Sequence, residues 1–173
     1  MLITGKEMLE VAKKHHFAVP AFNAGSGQLL PAIMDACKEE KAPFIMAIHP
    51  DELSFLRDSF IGQVMDEINA TELPVALHLD HGANIDQILH AIQLGFSSVM
   101  IDGSSLPFEE NVKQTQEVVK LAHAVGVSVE AELGTIGDTG NNVEGGVSEI
   151  IYTDPEKAKE FVERTGVDSL AVA

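Results

Sequence analysis

Pro74-Val75-Ala76-Leu77-His78-Leu79-Asp80-His81-Gly82 is a nearly continuous apolar run that ends in a carboxylate, an imidazole and a glycine. A run that is apolar on both faces suits a parallel strand covered on both sides, and a proline just ahead of it leaves its ladder intact. Side chains alternate along a strand, so Ala76, His78 and Asp80 share one face and His81 belongs to the other. His81 can then join Asp80 only where the strand has ended, and Gly82 reads as the residue that ends it. Parallel-sheet enzymes carry their reactive groups at the carboxyl ends of strands, which makes Asp80 and His81 the first candidates for chemistry.

Working outward, apolar runs alternate with amphipathic segments. Residues 17–23 read as a first strand, 28–40 as a helix and 43–49 as a second strand. One helix is expected over 52–69, with Leu53, Leu56, Phe60, Val64 and Ile68 on a single stripe. A short helix over 86–94, a strand over 97–103, a helix over 108–124 and a strand over 127–134 follow. The polar, glycine-rich stretch 135–149 is long for a connection and reads as a mobile lid. Asp154 caps a helix with Pro155 in its first turn, running to Arg164, and Ser169 to Ala173 begin a sixth strand.

Repeated strand–helix units without a composition break imply one domain with a parallel sheet. A (β/α)₈ barrel needs eight units and about 250 residues. The 173 residues are therefore expected to form the amino-terminal part of a single TIM barrel, about the first five and a half units, ending inside the sixth strand.

A net charge of −16 argues against nucleic acid or an anionic membrane as a partner, since those attract basic patches. The single Cys37 excludes an internal disulfide and reads as a small core residue, and no apolar run has signal-peptide or transmembrane length. These features point to a cytoplasmic protein.

Two more strand ends carry acids. Asp102 closes the fourth strand, while Glu130 and Glu132, two apart, share one face of the fifth. Buried carboxylates are costly unless charges or metals pair with them, and imidazole with carboxylates from several strands suits a divalent cation. Plainer readings stand beside this one. Asp102-Gly103-Ser104-Ser105 also suits turn chemistry, the two glutamates suit a solvated edge strand, and Asp80-His81-Gly82 suits a hydrogen-bonded strand terminus. His78 reads as an interior histidine or a support for the site, His15 and His16 as solvated, and His90 and His123 as surface or packing residues.

Several longer motifs occur in order: Ala21-Phe22-Asn23, His78 to Gly82, Ser98-Val99-Met100-Ile101-Asp102-Gly103-Ser104, Leu106-Pro107-Phe108-Glu109-Glu110-Asn111, Val129-Glu130-Ala131-Glu132-Leu133-Gly134 and Thr165 to Ala173. Together they resemble the class II, metal-dependent ketose-bisphosphate aldolases, in the fructose- or tagatose-bisphosphate branch. The resemblance implies a (β/α)₈ barrel, a catalytic zinc with a second divalent or a monovalent cation nearby, and a homodimer or homotetramer. It also implies reversible cleavage of a phosphorylated ketose to dihydroxyacetone phosphate and glyceraldehyde 3-phosphate. Carried over by position, Asp80 is the catalytic acid, His81 a zinc ligand, Asp102 and Glu132 ligands of a second or displaced metal, and Asn23 a lining residue.

Two segments depart from that pattern. The loop after Gly134 has its acids in a different order, leaving Glu144 as the candidate for handling a proton of the triose. His49-Pro50 stands where many members place a serine near a substrate phosphate, so His49 is the candidate substrate contact there. The remaining zinc histidines and the phosphate loops would follow Ala173. The rival readings are a barrel relative that binds a ligand or partner without catalysis, and a phosphosugar isomerase or epimerase using paired acids.

Overall fold

The computed structural model describes residues 1–136 and 150–173. Its elements in chain order are α1 (Gly5–His15), β1 (Ala21–Asn23), α2 (Leu29–Glu40), β2 (Phe44–Ile48), α3 (Pro50–Leu56), α4 (Asp58–Asn69), β3 (Val75–Gly82), α5 (Ile85–Gln93), β4 (Ser98–Ile101), α6 (Phe108–His123), β5 (Ser128–Leu133), β6 (Thr135–Ile136), β7 (Ile150–Ile151), α7 (Pro155–Thr165) and β8 (Ser169–Val172). Six strands form one parallel sheet in the order β1-β2-β3-β4-β5-β8. Side chains from strands two apart meet on its inner face, as Asn23 of β1 does with Asp80 of β3. Strands two apart in a flat sheet lie about 9.6 Å from each other, so the sheet curls inward.

The helices bury their apolar stripes on the outer face. Leu30, Met34 and Cys37 of α2, Phe60, Val64 and Ile68 of α4, Ile88 and Ala91 of α5, Val118 and Ala122 of α6 and Phe161 of α7 join Leu77, Leu79, Val99 and Val129 in one core. Burying each large aliphatic or aromatic side chain contributes about 1.5–3 kcal/mol. The central strands are therefore apolar on their helix-facing side and free to carry polar groups on the other.

Three features differ from the sequence reading. First, α1 was not expected. Its signal is the capping box Thr4-x-x-Glu7, in which Thr4 Oγ1 accepts from Glu7 N at 3.1 Å and the Glu7 carboxylate accepts from Thr4 N at 2.9 Å. Gly5 lets α1 start against β4 and β5, since a Cβ there would stand 2.7 Å from Ser98 Oγ and 3.2 Å from Ser128 Oγ.

Second, the single helix expected over 52–69 is two, α3 and α4, broken at Arg57 with φ 70° and ψ 163°. The apolar stripe keeps its phase through the break, with Leu53, Phe60, Val64 and Ile68 all buried, so periodicity alone could not reveal it. His49 and Pro50 start α3 earlier than expected: His49 Nδ1 accepts from Asp51 N at 3.1 Å, and Pro50 occupies the first turn.

Third, Gly82 does not make the turn. β3 continues through Gly82, its register to β4 shifts between Leu79 and Gly82, and the left-handed residue is His81, with φ 51°. Gly82 is needed for space: a Cβ there would lie 2.6 Å from the Met100 carbonyl oxygen and 2.9 Å from Ile88 Cδ1.

The stretch read as a lid begins and ends as an antiparallel ladder, Thr135↔Ile151 and Ile136↔Ile150. The lid itself and Glu144 lie outside the described residues. The Asp154 cap and Pro155 of α7 stand as expected, with Asp154 accepting from Glu156 N at 2.9 Å. Among the described residues no helix is long and apolar enough to cross a membrane.

Candidate metal centre

The bulge in β3 solves the alternation problem posed by its sequence. With His81 left-handed, its imidazole joins the face carrying Asp80 instead of the helix-facing core. His81 Nδ1 lies 3.0 Å from Asp102 Oδ2 and 3.8 Å from Glu132 Oε2, and His81 Nε2 lies 3.9 Å from Asp80 Oδ1. β3, β4 and β5 are neighbours in parallel register, so their carboxyl ends deliver these groups to one spot. The side chains of His81, Asp102 and Glu132 are only 14–19% exposed.

Asp102 fulfils the turn reading and the site reading at once. Its Oδ1 accepts from Ser104 Oγ at 2.6 Å and from Ser104 N at 3.0 Å, while its Oδ2 faces His81. Burial alone would raise its pKa, but the hydrogen bonds from His81 and Ser104 outweigh that and hold it below the usual carboxylate value. His81 is pushed up to about 9, chiefly by its hydrogen bond to Asp102, with Asp80, Asp102 and Glu132 adding their charge against the opposing effect of burial.

An imidazole among carboxylates in a half-buried site is an unbalanced charge set, and one potential ligand atom from each of His81, Asp102 and Glu132 lies within 4.8 Å of the others. Donors bound to one ion at about 2.1 Å are at most about 4.2 Å apart, so small side-chain adjustments would close these donors on a metal. The donor chemistry fits a divalent ion, and these three residues are the ones that could hold it.

Asn23 and His49 complete the surroundings. Asn23 Nδ2 donates to Asp80 Oδ2 at 2.8 Å. The His49 ring centroid is 6.2 Å from that of His81, which places the capping histidine of α3 at the rim of the cluster. His78 is the interior histidine: it is 6% exposed, its Nδ1 is 2.8 Å from Ser98 Oγ, its Nε2 is 4.0 Å from Glu130, and burial lowers its pKa. Glu130 also accepts from Ser169 Oγ at 3.3 Å, so it sits within the sheet's polar interior and not on a solvated edge. His15, His16 and His90 are exposed, with His90 paired to Asp58 at 3.1 Å, and His123 bonds Asp168 at 2.7 Å.

Ser104 and Asn111 escaped the sequence reading as site residues. Asn111 is 1% exposed, donates from Nδ2 to the Glu132 carbonyl at 2.9 Å, and accepts from Thr115 Oγ1 at 3.2 Å. It holds the end of β5 in place, and a Cβ on Gly103 would collide with it. The available signal was an asparagine beside Val112 on the buried face of a helix.

The family described as "Fructose-bisphosphate aldolase class-II" matches residues 3–173. A fructose-bisphosphate aldolase of Staphylococcus aureus (strain Mu50) is 43% identical over 177 residues, covering 99% of this chain and 61% of its own. One from Thermus caldophilus is 42% identical over 173 residues, covering 100% of this chain and 57% of its own. The crystal structure of the YdjI aldolase from Escherichia coli K12 superposes with a TM-score of 0.87 at 35% identity, covering 100% of this chain and 61% of that one. The chain thus spans about three fifths of the length of these relatives. With the motif-bearing strands matched across its length, the chain belongs to the class II fructose-bisphosphate aldolase family.

Proposed function

We propose that residues 1–173 form the amino-terminal part of a single (β/α)₈ barrel that works as a zinc-dependent aldolase. The substrate is a phosphorylated ketose such as fructose or tagatose 1,6-bisphosphate, cleaved reversibly to dihydroxyacetone phosphate and glyceraldehyde 3-phosphate. The observation that carries this reading is the convergence of His81, Asp102 and Glu132 beside Asp80 in a chain of this family. We place the protein in the cytoplasm as a homodimer or homotetramer, with neither nucleic acid nor membrane as partner, in keeping with its charge of −16.

His81 would hold a zinc, with Asp102 and Glu132 able to take it or a second cation, and when bound it would supply Lewis acidity towards the ketose carbonyl and towards charge developing as the carbon–carbon bond breaks. Asp80 removes the proton from the hydroxyl on the aldehyde side of that bond and returns it in condensation. Asn23 fixes the carboxylate's orientation through the 2.8 Å bond, so the proton acceptor is placed before substrate arrives. Asp102 orients the His81 ring, itself held by Ser104. Glu144 handles the proton at the triose carbon, and His49 contacts the substrate from the rim. No lysine imine takes part.

The test is cleavage of fructose and tagatose 1,6-bisphosphate by the purified protein, before and after a chelator. We expect chelation and His81→Ala each to abolish cleavage and bound metal together, and Asp80→Ala to keep the metal while losing at least about a hundredfold in turnover. Cleavage that survives chelation would end the metal-aldolase reading, and undiminished turnover in Asp80→Ala would remove its proton-transfer role.

A further inference from the structure

We propose that Asn111 of α6 is a positioning residue for the candidate metal centre: its amide sets the spacing between the strand ends that carry Asp102 and Glu132, and so the affinity of the cluster for a divalent cation. The inference rests on the metal reading of His81, Asp102 and Glu132. The ladder between β4 and β5 stops at Ile101↔Ala131, one residue short of both acids. Glu132 is still paired on its other side, with Ala171 of β8, but no rung joins it to Asp102. The Asn111 amide stands in that place. Its Nδ2 donates to the Glu132 carbonyl at 2.9 Å. The amide also packs closely against Gly103, the residue after Asp102, where a Cβ would stand 2.8 Å from Asn111 Cγ.

The amide is fixed from both sides. A carbonyl only accepts, so Asn111 must turn its nitrogen to Glu132 and its oxygen to Thr115, whose hydroxyl donates to Asn111 Oδ1 at 3.2 Å. Asn111 is 1% exposed and Thr115 is fully buried, so neither bond competes with water. Packing alone does not ask for an asparagine here. Other inward positions of α6 hold Val112, Val118 and Ala122, and asparagine is a poor helix former. The same helix reaches the third strand end through Gln114, whose Nε2 donates to the Ala83 carbonyl at 3.4 Å, two residues beyond His81. Thus α6 touches the main chain beside each of the three cluster residues and adds no side chain to the cluster itself.

Without the amide, the Asp102 and Glu132 strand ends can drift apart while all three donors stay in the chain, so affinity and ligand geometry are read together with stability. Zinc and cobalt(II) are titrated into the purified protein, by calorimetry and absorption spectroscopy, beside thermal melts. We expect Asn111→Ala and Thr115→Val to bind zinc about ten- to a hundredfold more weakly than the parent, the loss typical when a group supporting metal ligands is removed. Their cobalt(II) d–d bands should shift as well. Thr165→Val is the control, since Thr165 is another buried helix hydroxyl, bonded away from the cluster to the Phe161 carbonyl at 2.8 Å. It should lose melting temperature as the other variants do, yet keep the parent's affinity and bands. Thr115→Val preserves side-chain shape, so it decides the matter if Asn111→Ala does not fold. Parental affinity and bands in the folded variants would overturn the proposal. Equal losses in Thr165→Val would overturn it too, by reducing Asn111 to a stabiliser of the fold. A parent that binds no divalent cation defeats the metal reading and this proposal with it, whereas a parent and variants that bind one equally well defeat the proposal alone.

Discussion

Asn23 Nδ2 and Asp80 Oδ2 meet at 2.8 Å although β2 lies between their strands. The bond exists because the sheet curls, and it makes the first strand, three residues long, part of the machinery of the third. Hydrogen bonds to a charged group contribute about 1.5–3 kcal/mol, so Asn23→Ala should lower turnover about ten- to a hundredfold. Metal content should be unchanged, because Asn23 touches no metal donor. Steady-state rates and metal analysis on one preparation check both halves; loss of metal would mean that Asn23 supports the fold of the site instead of Asp80.

His81 must be neutral to bind a metal, yet its carboxylate neighbours raise its pKa to about 9. At pH 7 the metal-free protein therefore carries a proton on His81 that the metal has to displace. Zinc binding at pH 7 should release about one proton, and affinity should fall about tenfold for each pH unit below 9. Calorimetry in two buffers of different ionisation enthalpy reads the released proton directly, and heats independent of buffer would contradict it.

Asp168 is a buried clasp at the opposite end of the sheet from the His81–Asp102–Glu132 cluster. It lies 3.1 Å from Lys6 Nζ and 2.7 Å from His123 Nε2, and it accepts from Val129 N at 2.9 Å, with a side chain only 3% exposed. Burial would raise its pKa, but these bonds hold it below the ordinary carboxylate value. A carboxylate lowered by folding stabilises at pH values above its unfolded pKa, and the contribution is lost as pH falls from about 4 through the lower folded value. Asp168→Ala strands Val129 N–H and removes the partner of two bases, at a cost of about 2–4 kcal/mol. Its melting temperature should fall at pH 7, and the gap to the parent should narrow on acidification below about pH 4. A gap that stays constant over that range would show that the charge of Asp168 does not matter.

Strand cores and helix stripes were legible because burial on two faces or one leaves a period in the sequence, as in Val75 to Leu79 or Phe60 to Ile68. Asp80, His81, Asp102 and Glu132 were legible because strand ends carrying acids are hard to explain by packing. What escaped depends on backbone geometry. The Arg57 break has no glycine or proline to mark it, and the His81 bulge places the left-handed residue one position before the glycine that seems to announce it. Asn111 escaped because its partner, the Glu132 carbonyl, is a main-chain atom that no side-chain pattern can flag.

That bulge gives the sharpest test of how backbone shapes the site. Gly82 is not left-handed, so alanine there is acceptable to its own φ and ψ. The obstacle is steric: the new methyl would stand 2.6 Å from the Met100 carbonyl oxygen, a backbone atom of the neighbouring strand, and 3.1 Å from Leu79 Cδ2. Overpacking of this kind costs about 1–3 kcal/mol. The chain can relieve it only by pushing β3 away from β4, which also strains the bond from Asp102 N to the Gly82 carbonyl at 2.9 Å. That movement separates His81 from Asp102 and opens the cluster. Gly82→Ala should therefore lose metal affinity well beyond what its modest drop in melting temperature suggests. Gly62→Ala is the control, since nothing lies within 4 Å of the Cβ position at that exposed glycine of α4. If Gly82→Ala binds zinc as tightly as Gly62→Ala does, the close approach of β3 to β4 is not what sets the metal centre.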